Sequence, residues 1–501
     1  MEQRVKDREA YRKITGAFKT RRQGATVADI VAQTALPLQT VRELAPLAAD
    51  EYSARLEVTE SGEIRYSFPQ GFTSKYRGFR AGLRRISERI GKGLGIFGTW
   101  VFKIWIMVML VGYFVLFMLI ALAALLVSTA VSVSGSNNRS DNRGGGLGGL
   151  YLSSSIFNLI IRIWFYSELT RSMNRPYGRN VQGLRPRGRP LYKAIFSFVF
   201  GEDDQEADRI AREKRAFISY LHTHRGVISL PEFMALSGLP PSRAEAELCS
   251  RCAEFGGMPE VTEEGTLVYR FDDLLLRSDA PLAGNPGASP LVRGLKKFSG
   301  NTKKMNGWFA LINGINLGFG SYFLFNALYT GLILSQAHFD AASYLYKITY
   351  LLLDSLGAAP LPFITVGLGI IPLVFSALFW GIPLVRYILM RKENEDIKME
   401  NLRKSAFSRI WFSPRGIREG DIRADQEECR PKNLAAARDR VIKEMGSYTI
   451  PDVAADSGGA MVYTFPELER EKEALEKYRK AINPADASLG KTVFDSHGKE
   501  I

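Results

Sequence analysis

Hydrophobic and polar positions along this chain follow two rhythms. The first is a short alternation written three times: Val58-Thr-Glu-Ser-Gly62-Glu-Ile-Arg-Tyr66-Ser-Phe68, Val261-Thr-Glu-Glu-Gly265-Thr-Leu-Val-Tyr269-Arg-Phe271 and Val453-Ala-Ala-Asp-Ser-Gly-Gly459-Ala-Met-Val-Tyr463-Thr-Phe465. Apolar residues alternate after an acidic, glycine-containing turn, which is the pattern of a β-hairpin. Gly-to-Tyr spacing is four in every copy, and the third turn reads as two residues longer. The second rhythm is continuous. Trp100–Val133 is apolar with Lys103 as its only formal charge. A helix needs about 20 apolar residues to cross a bilayer, so this run is long enough. Leu150–Leu169, Trp308–Ser335 and Leu361–Met390 are further candidates.

Short helical patterns precede the hairpins. Val5–Phe18, Ala28–Thr34 and Leu38–Ala48 precede the first, and Gln205–Thr223, Leu230–Ser237 and Ser242–Phe255 the second. Thr34-Ala-Leu-Pro37 aligns with Ser237-Gly-Leu-Pro240, and each proline stands 21 residues before its hairpin valine. Helices around a tight turn followed by a hairpin make a winged-helix layout. Before the third hairpin, Gly416–Arg430 is too charged for a second helix, which predicts a degenerate module.

The expected fold is a mainly α membrane protein, with two transmembrane helical hairpins alternating with three small α/β winged-helix-like modules. The modules occupy 1–72, 205–277 and 391–470, and the membrane hairpins 100–169 and 307–390. Within the second hairpin, 344–359 contains Lys347 and Asp354 and reads as interfacial or re-entrant. Segment 73–99 reads as a basic amphipathic juxtamembrane helix, 170–204 as a basic linker with a Phe-rich end, and 278–306 as a linker with a basic juxtamembrane end. Residues 471–501 read as a charged helix with a disordered tail. In the third span, Gly314-x-x-x-Gly318 and Asn313, Asn316 and Asn326 predict close helix packing with hydrogen bonds across it. Pro372 and Pro383 predict a kinked fourth span.

Charge refines this picture. The net formal charge is +14, and the excess is concentrated beside the spans. Residues 73–98 hold seven Lys/Arg against one Glu, 169–193 seven and no acid, and 291–306 five and no acid. Cytoplasmic loops collect such charge, and anionic lipid headgroups attract it. All three modules are thus expected on the cytoplasmic side of a bacterial inner membrane. The charged N-terminus shows no signal peptide, and three cysteines supply no disulfide framework.

Winged helices raise the question of DNA, and their third helices carry the wrong sign. Leu38–Asp50 has one Arg against Glu43 and Asp50, and residues 241–273 hold three Arg and eight acids. Phosphate contact needs basic side chains, so protein contact or self-association is favoured over nucleic acid. Tyr66, Phe68, Tyr269, Phe271, Tyr463 and Phe465 at the hairpin ends are the expected contact residues, with Phe196, Phe198 and Phe200. Cys249-Ser-Arg-Cys252 and His222-Thr-His224 would hold a metal only if all four converged. With Cys252 on the core face and the histidines at the surface, no metal or cofactor is expected. No catalytic motif is visible, and a non-enzymatic protein is expected. The alternatives are a membrane-tethered DNA-binding regulator and a small transporter or channel component.

Phe196-Ser-Phe-Val-Phe-Gly-Glu-Asp203, with the hairpin endings Leu267–Phe271 and Met461–Phe465, resembles a little-characterised family of cyanobacterial and plastid-envelope membrane proteins. The resemblance covers about residues 150–470 and implies the same multi-pass architecture. Gly201 is followed here by Glu-Asp-Asp-Gln, where the family pattern continues Gly-Asp-Gly-Asp-Pro-Asn. Some members carry an iron–sulfur-assembly label, which no cysteine pattern in this chain matches.

Overall fold

The computed structural model describes residues 2–21, 24–69, 71–72, 79–134, 190–202, 206–278, 292–335, 342–414, 416–424, 426–456, 459–483 and 488–496. The span expected at 150–169, the basic linker through 189 and the linker 279–290 lie outside them. So do Asp203, Asp204 and the side chains that would make 73–97 amphipathic.

In chain order the elements are α1 (Glu2–Thr20), α2 (Val27–Thr34), α3 (Leu38–Glu51), β1 (Arg55–Thr59), β2 (Ile64–Ser67), α4 (Phe79–Ser134), α5 (Leu191–Phe200) and α6 (Glu206–Thr223). Next come β3 (Val227–Ser229), α7 (Leu230–Ser237), α8 (Pro241–Phe255), β4 (Met258–Val261), β5 (Leu267–Arg270), α9 (Lys303–Leu328), α10 (Thr330–Ser335) and α11 (Tyr344–Ser355). The chain ends with α12 (Ile371–Phe412), β6 (Ile417–Arg418), α13 (Leu434–Gly446), β7 (Asp452–Ala455), β8 (Met461–Thr464), α14 (Pro466–Ala481) and β9 (Thr492–Asp495). The protein is mainly helical, with three small sheets among the described residues, and it divides into two units. Unit 1 is Met1–Ile86, Asp204–Lys296 and Arg391–Ile501; unit 2 is Ser87–Asp203 and Lys297–Met390.

Unit 1 gathers segments separated in sequence around one hydrophobic core, which includes Ile14, Phe68, Phe217, Phe271, Phe407 and Phe465. Residues from all three segments expected as modules share this core. Joining them raises the fraction of surface that folding buries. Local chemistry starts each module in the same way. Thr26 and Asp29 form a capping box at α2, and Glu232 accepts the Ser229 N–H at the start of α7. Ala35 (φ 58°) and Gly238 (φ 71°) end those helices in left-handed conformation, and prolines precede α3 and α8. At Gly238 a side chain would meet the Glu400 carbonyl oxygen at 2.6 Å, so only glycine lets α12 pass this close.

The sheets run β3-β5-β4 and β6-β8-β7, while Ala25 bridges Tyr66 of β2 in the first module. Where the third module would need a second helix, short 3₁₀ turns at Glu419–Asp421 and Glu427–Cys429 stand instead. Two expectations are corrected. The third turn is no longer than the others, because Gly62, Gly265 and Gly459 each donate to the residue three before them at 2.9 Å. Val453 matches Leu56, two residues further down the strand, and Ala455 matches Val58. The tail is ordered in part: β9 pairs antiparallel with β1, and Arg55 bonds Asp495.

Unit 2 contains the apolar helices. Among the described residues Gly98–Val127, Lys303–Leu328 and Pro360–Phe412 are long and apolar enough to cross a membrane. The buried seam of α9 reads Phe309, Asn313, Asn316, Gly320, Phe323 and Ala327, a four–three spacing that keeps one stripe inward. Asn313 Nδ2 donates to the Ser376 carbonyl at 3.0 Å and Asn316 Nδ2 to that of Leu110 at 2.8 Å, the cross-helix bonds expected of them, whereas buried Asn326 donates to the Tyr322 carbonyl of its own helix at 2.9 Å. Close approach falls elsewhere than expected. Nothing lies within 4 Å of a Cβ added at Gly318, whereas one at Gly320 would stand 3.3 Å from Leu373 N and 3.4 Å from Gly369 O. Ahead of Pro372, Phe363–Ile370 is π-helical, since proline cannot donate to the carbonyl one turn back. The 12-residue α11 is too short to span alone, and its Tyr346 is buried, with its hydroxyl 2.6 Å from Thr330 Oγ1.

The Phe-rich segment belongs to unit 2, not to the second module. It forms α5, whose Phe198 packs among Phe298, Phe309 and Phe379. Arg386 donates to the Phe198 carbonyl at 2.8 Å and passes over Gly201, where any side chain would collide with the guanidinium.

Candidate functional site

The polar chemistry of unit 1 converges on two buried capping carboxylates. Asp29 is fully buried at the start of α2. Its oxygens accept from Thr26 N at 3.1 Å, Arg21 Nη1 at 3.1 Å, Arg277 Nε at 3.3 Å, and Ser278 N and Oγ at 2.9 and 2.5 Å. Burial would raise its pKa, but the hydrogen bonds from Ser278 and Thr26 and the charge of Arg21 hold it below the usual aspartate value. Glu232 occupies the matching position on α7. It takes both terminal nitrogens of Arg479 from α14, at 2.6 and 2.9 Å, while Arg479 also donates to the Val227 carbonyl at 2.6 Å. Each of the first two modules is thus clasped by an arginine that follows the hairpin of the next. In the third module the matching carboxylate, Asp421, accepts the Arg418 N–H at 3.1 Å but stays exposed.

The third helices of the first two modules make further contacts. Helix α3 packs against α8, with Arg42 reaching Asp273 at 2.9 Å. On α8, Arg251 is paired with Glu247 at 2.6 Å and Glu254 at 3.2 Å, and Lys214 also bonds Glu254.

A cleft of about 1400 Å³ lies between the start of α8, the β4–β5 turn, the end of α13 and α14. Glu245, Glu264, Glu444, Glu467, Glu471 and Glu473 line it against Arg470 and Lys477. Tyr448 donates to Glu471 at 2.9 Å, and burial raises both groups above their ordinary values. Burial would also raise Glu444, but Arg403 and Arg440 hold it low. Acidic side chains outnumber basic ones along its lining.

The residues singled out from sequence are dispersed. Tyr66, Phe68, Tyr269, Phe271 and Phe465 are buried in the core, and Tyr463 is partly buried. These rings face inward because the alternation that marks the hairpin also marks its core face, so they offer no contact surface. Phe196, Phe198 and Phe200 pack in unit 2, Phe196 beneath Lys103 at 4.2 Å and Phe200 near Phe102. Cys249 is exposed, and Cys252 packs on the core with its thiol pushed up to about 11 by burial and by Cys249. The histidines are partly buried, not surface groups. His224 stacks on Tyr220 at 3.9 Å, and the charges nearest His222 are Arg277 and Asp29. Among the described residues no three His, Cys, Asp or Glu side chains group to hold a metal. Asp29, Glu232, Arg277 and Arg479 are not among the residues singled out from sequence. The capping-box spacing signalled the two acids, but nothing local signals arginines about 250 positions away.

The chain is similar to a chloroplast protein. Over 409 residues it is 22% identical to an uncharacterized chloroplastic protein of Arabidopsis thaliana, covering 78% of this chain and 70% of that one. No family model and no solved structure matches. The relative is consistent with the plastid side of the resemblance carried by Phe196–Asp203, and with the apolar helices it suggests a membrane association.

Proposed function

We propose that this protein is a non-enzymatic, multi-pass membrane scaffold whose three winged-helix-like modules form one protein-binding head. We assign the head to the cytoplasmic side of a bacterial inner membrane, with anionic lipid around the basic juxtamembrane segments. The observation that carries this reading is the acidic cleft, in a head whose third helices are packed against one another or paired with their own acids. Winged helices that bind DNA need an exposed, basic third helix. Here α3 packs against α8, and Arg251 of α8 is paired with Glu247 and Glu254, which favours protein contact. Self-association belongs to the same reading.

Photo-crosslinking of the full-length protein in nanodiscs, mixed with host extract, tests it. Capture of a defined cytoplasmic protein or a second copy is expected, with no retention on DNA at low salt. Salt-sensitive DNA retention without protein capture would return the reading to a membrane-tethered regulator. One observation favours transport as a second reading: Asn313 Oδ1, Asn316 Oδ1 and Ser376 Oγ are buried in the apolar helices without a hydrogen-bond partner among the described residues. Ion flux across reconstituted vesicles, abolished by Asn316→Leu, would support it.

A further inference from the structure

Each hairpin begins with a strand at the edge of its module's sheet, and the three edges meet different fates. One hydrogen bond recurs in the turns: Thr59 N–H to Glu63 C=O, Thr262 N–H to Thr266 C=O, and Asp456 N–H to Ala460 C=O, at 3.0, 2.9 and 2.9 Å. That bond sets the phase of the ladder, because residues of an antiparallel pair alternate between bonding the partner and pointing N–H and C=O away. Three residues earlier, Leu56, Pro259 and Val453 hold one equivalent, outward-bonding position.

At Leu56 the position is filled. Ser496 N–H donates to its carbonyl at 2.9 Å, and its own N–H donates to Ser496 Oγ at 3.0 Å. At Pro259 there is no N–H to offer, and proline on an edge blocks strand addition. Tyr478 and Lys477 also hold Glu260, Glu263 and Glu264 alongside. At Val453 the edge is open. Strand β7 is terminal in its sheet, all four of its residues are exposed, and among the described residues nothing bonds its outer side.

We propose that β7 is a strand-acceptor site for an extended segment of a partner protein, with alternate apolar side chains and a basic residue that sits opposite Ala454 and reaches diagonally to Asp452, as Asp495 sits opposite Glu57 and reaches Arg55. The filled edge supplies the chemistry. Strand β1 carries Arg55, and its occupant answers with Asp495. Strand β7 carries Asp452 at the matching position, so the complementary residue is Lys or Arg. Val453, Ala455 and the cross-strand Met461 give the alternating side chains an exposed apolar strip. Main-chain bonds then supply affinity and the side chains selectivity. This deepens the protein-binding reading and rests on it.

The test uses the full-length protein in nanodiscs and two fluorescent peptides, Lys491–Ser496 and the same peptide with Asp495→Lys. The wild type is expected to prefer the substituted peptide by about fivefold, Asp452→Arg to reverse that preference, and Val453→Pro to abolish binding of both. Pro259 shows that proline is compatible with this position, and unchanged thermal unfolding verifies that the variant folds. Binding of neither peptide, equal binding of both, or binding indifferent to Val453→Pro overturns the site. A β7-dependent dimer, seen as a size change lost in Val453→Pro, overturns the assignment of the occupant. Undiminished partner capture by Val453→Pro overturns the site while the protein-binding reading stands; loss of all capture by the wild type sinks that reading itself.

Discussion

Arg479 closes on Glu232 with both terminal guanidinium nitrogens, joining the helix after the third hairpin to the second helix of the second module. The side chains are 14% and 2% exposed, so neither charge has water to fall back on. Removing one partner of such a pair costs about 3–5 kcal/mol, because the other charge is left buried alone. Arg479→Ala should therefore lower the denaturant midpoint of the head sharply. Arg479→Met with Glu232→Met should recover most of the loss, and a double-mutant cycle on the full-length protein checks both.

Asp29 makes the corresponding clasp between the first and second modules. Its folded-state pKa lies below the ordinary 3.8, so its stabilisation is fully present above that value and is lost as pH falls through the folded pKa. Asp29→Asn should be less stable at neutral pH and show a shallower acid transition below about pH 4. Circular dichroism across the acid range reads this directly. An unchanged neutral-pH stability would remove Asp29 from the clasp.

His222 and His224 predict a second, milder sensitivity. Burial is the leading cause of both depressed pKa values, and Arg277 or Arg479 add to it. The unfolded chain then binds protons that the folded head refuses. Stability should be complete above the ordinary 6.5 and fall as pH drops toward the folded values. His222→Gln with His224→Gln should flatten unfolding midpoints between pH 7.5 and 5.5.

In the apolar helices, glycine position matters more than glycine count. Gly320→Val should push α9 from the segment around Gly369 and Leu373 and cost about 1–3 kcal/mol. A Cβ at Gly318 meets nothing within 4 Å, so Gly318→Ala should leave thermal unfolding in detergent unchanged. Equal effects of the two would mean that the helices do not meet at Gly320.

The sequence by itself determined what is local. Apolar length marked the helices containing Trp100–Val127, Trp308–Leu328 and Leu361–Met390, because hydrocarbon thickness sets a minimum run. Alternation and the glycines Gly62, Gly265 and Gly459 marked the hairpins, because only a left-handed residue closes those turns. Charge explained why Gly416–Arg430 carries no α-helix. The tertiary structure alone decided that the modules share one core, that Phe196–Phe200 packs with the apolar helices, and that the hairpin aromatics face inward. Only the hydrogen-bond phase around Asp456 showed that Val453 matches Leu56. It also took the fold to bring Arg277 to Asp29, Arg479 to Glu232 and Asp495 to Arg55. Pairing across hundreds of residues leaves no spacing rule in a single chain, since burial and charge choose such partners only after the chain has closed on itself.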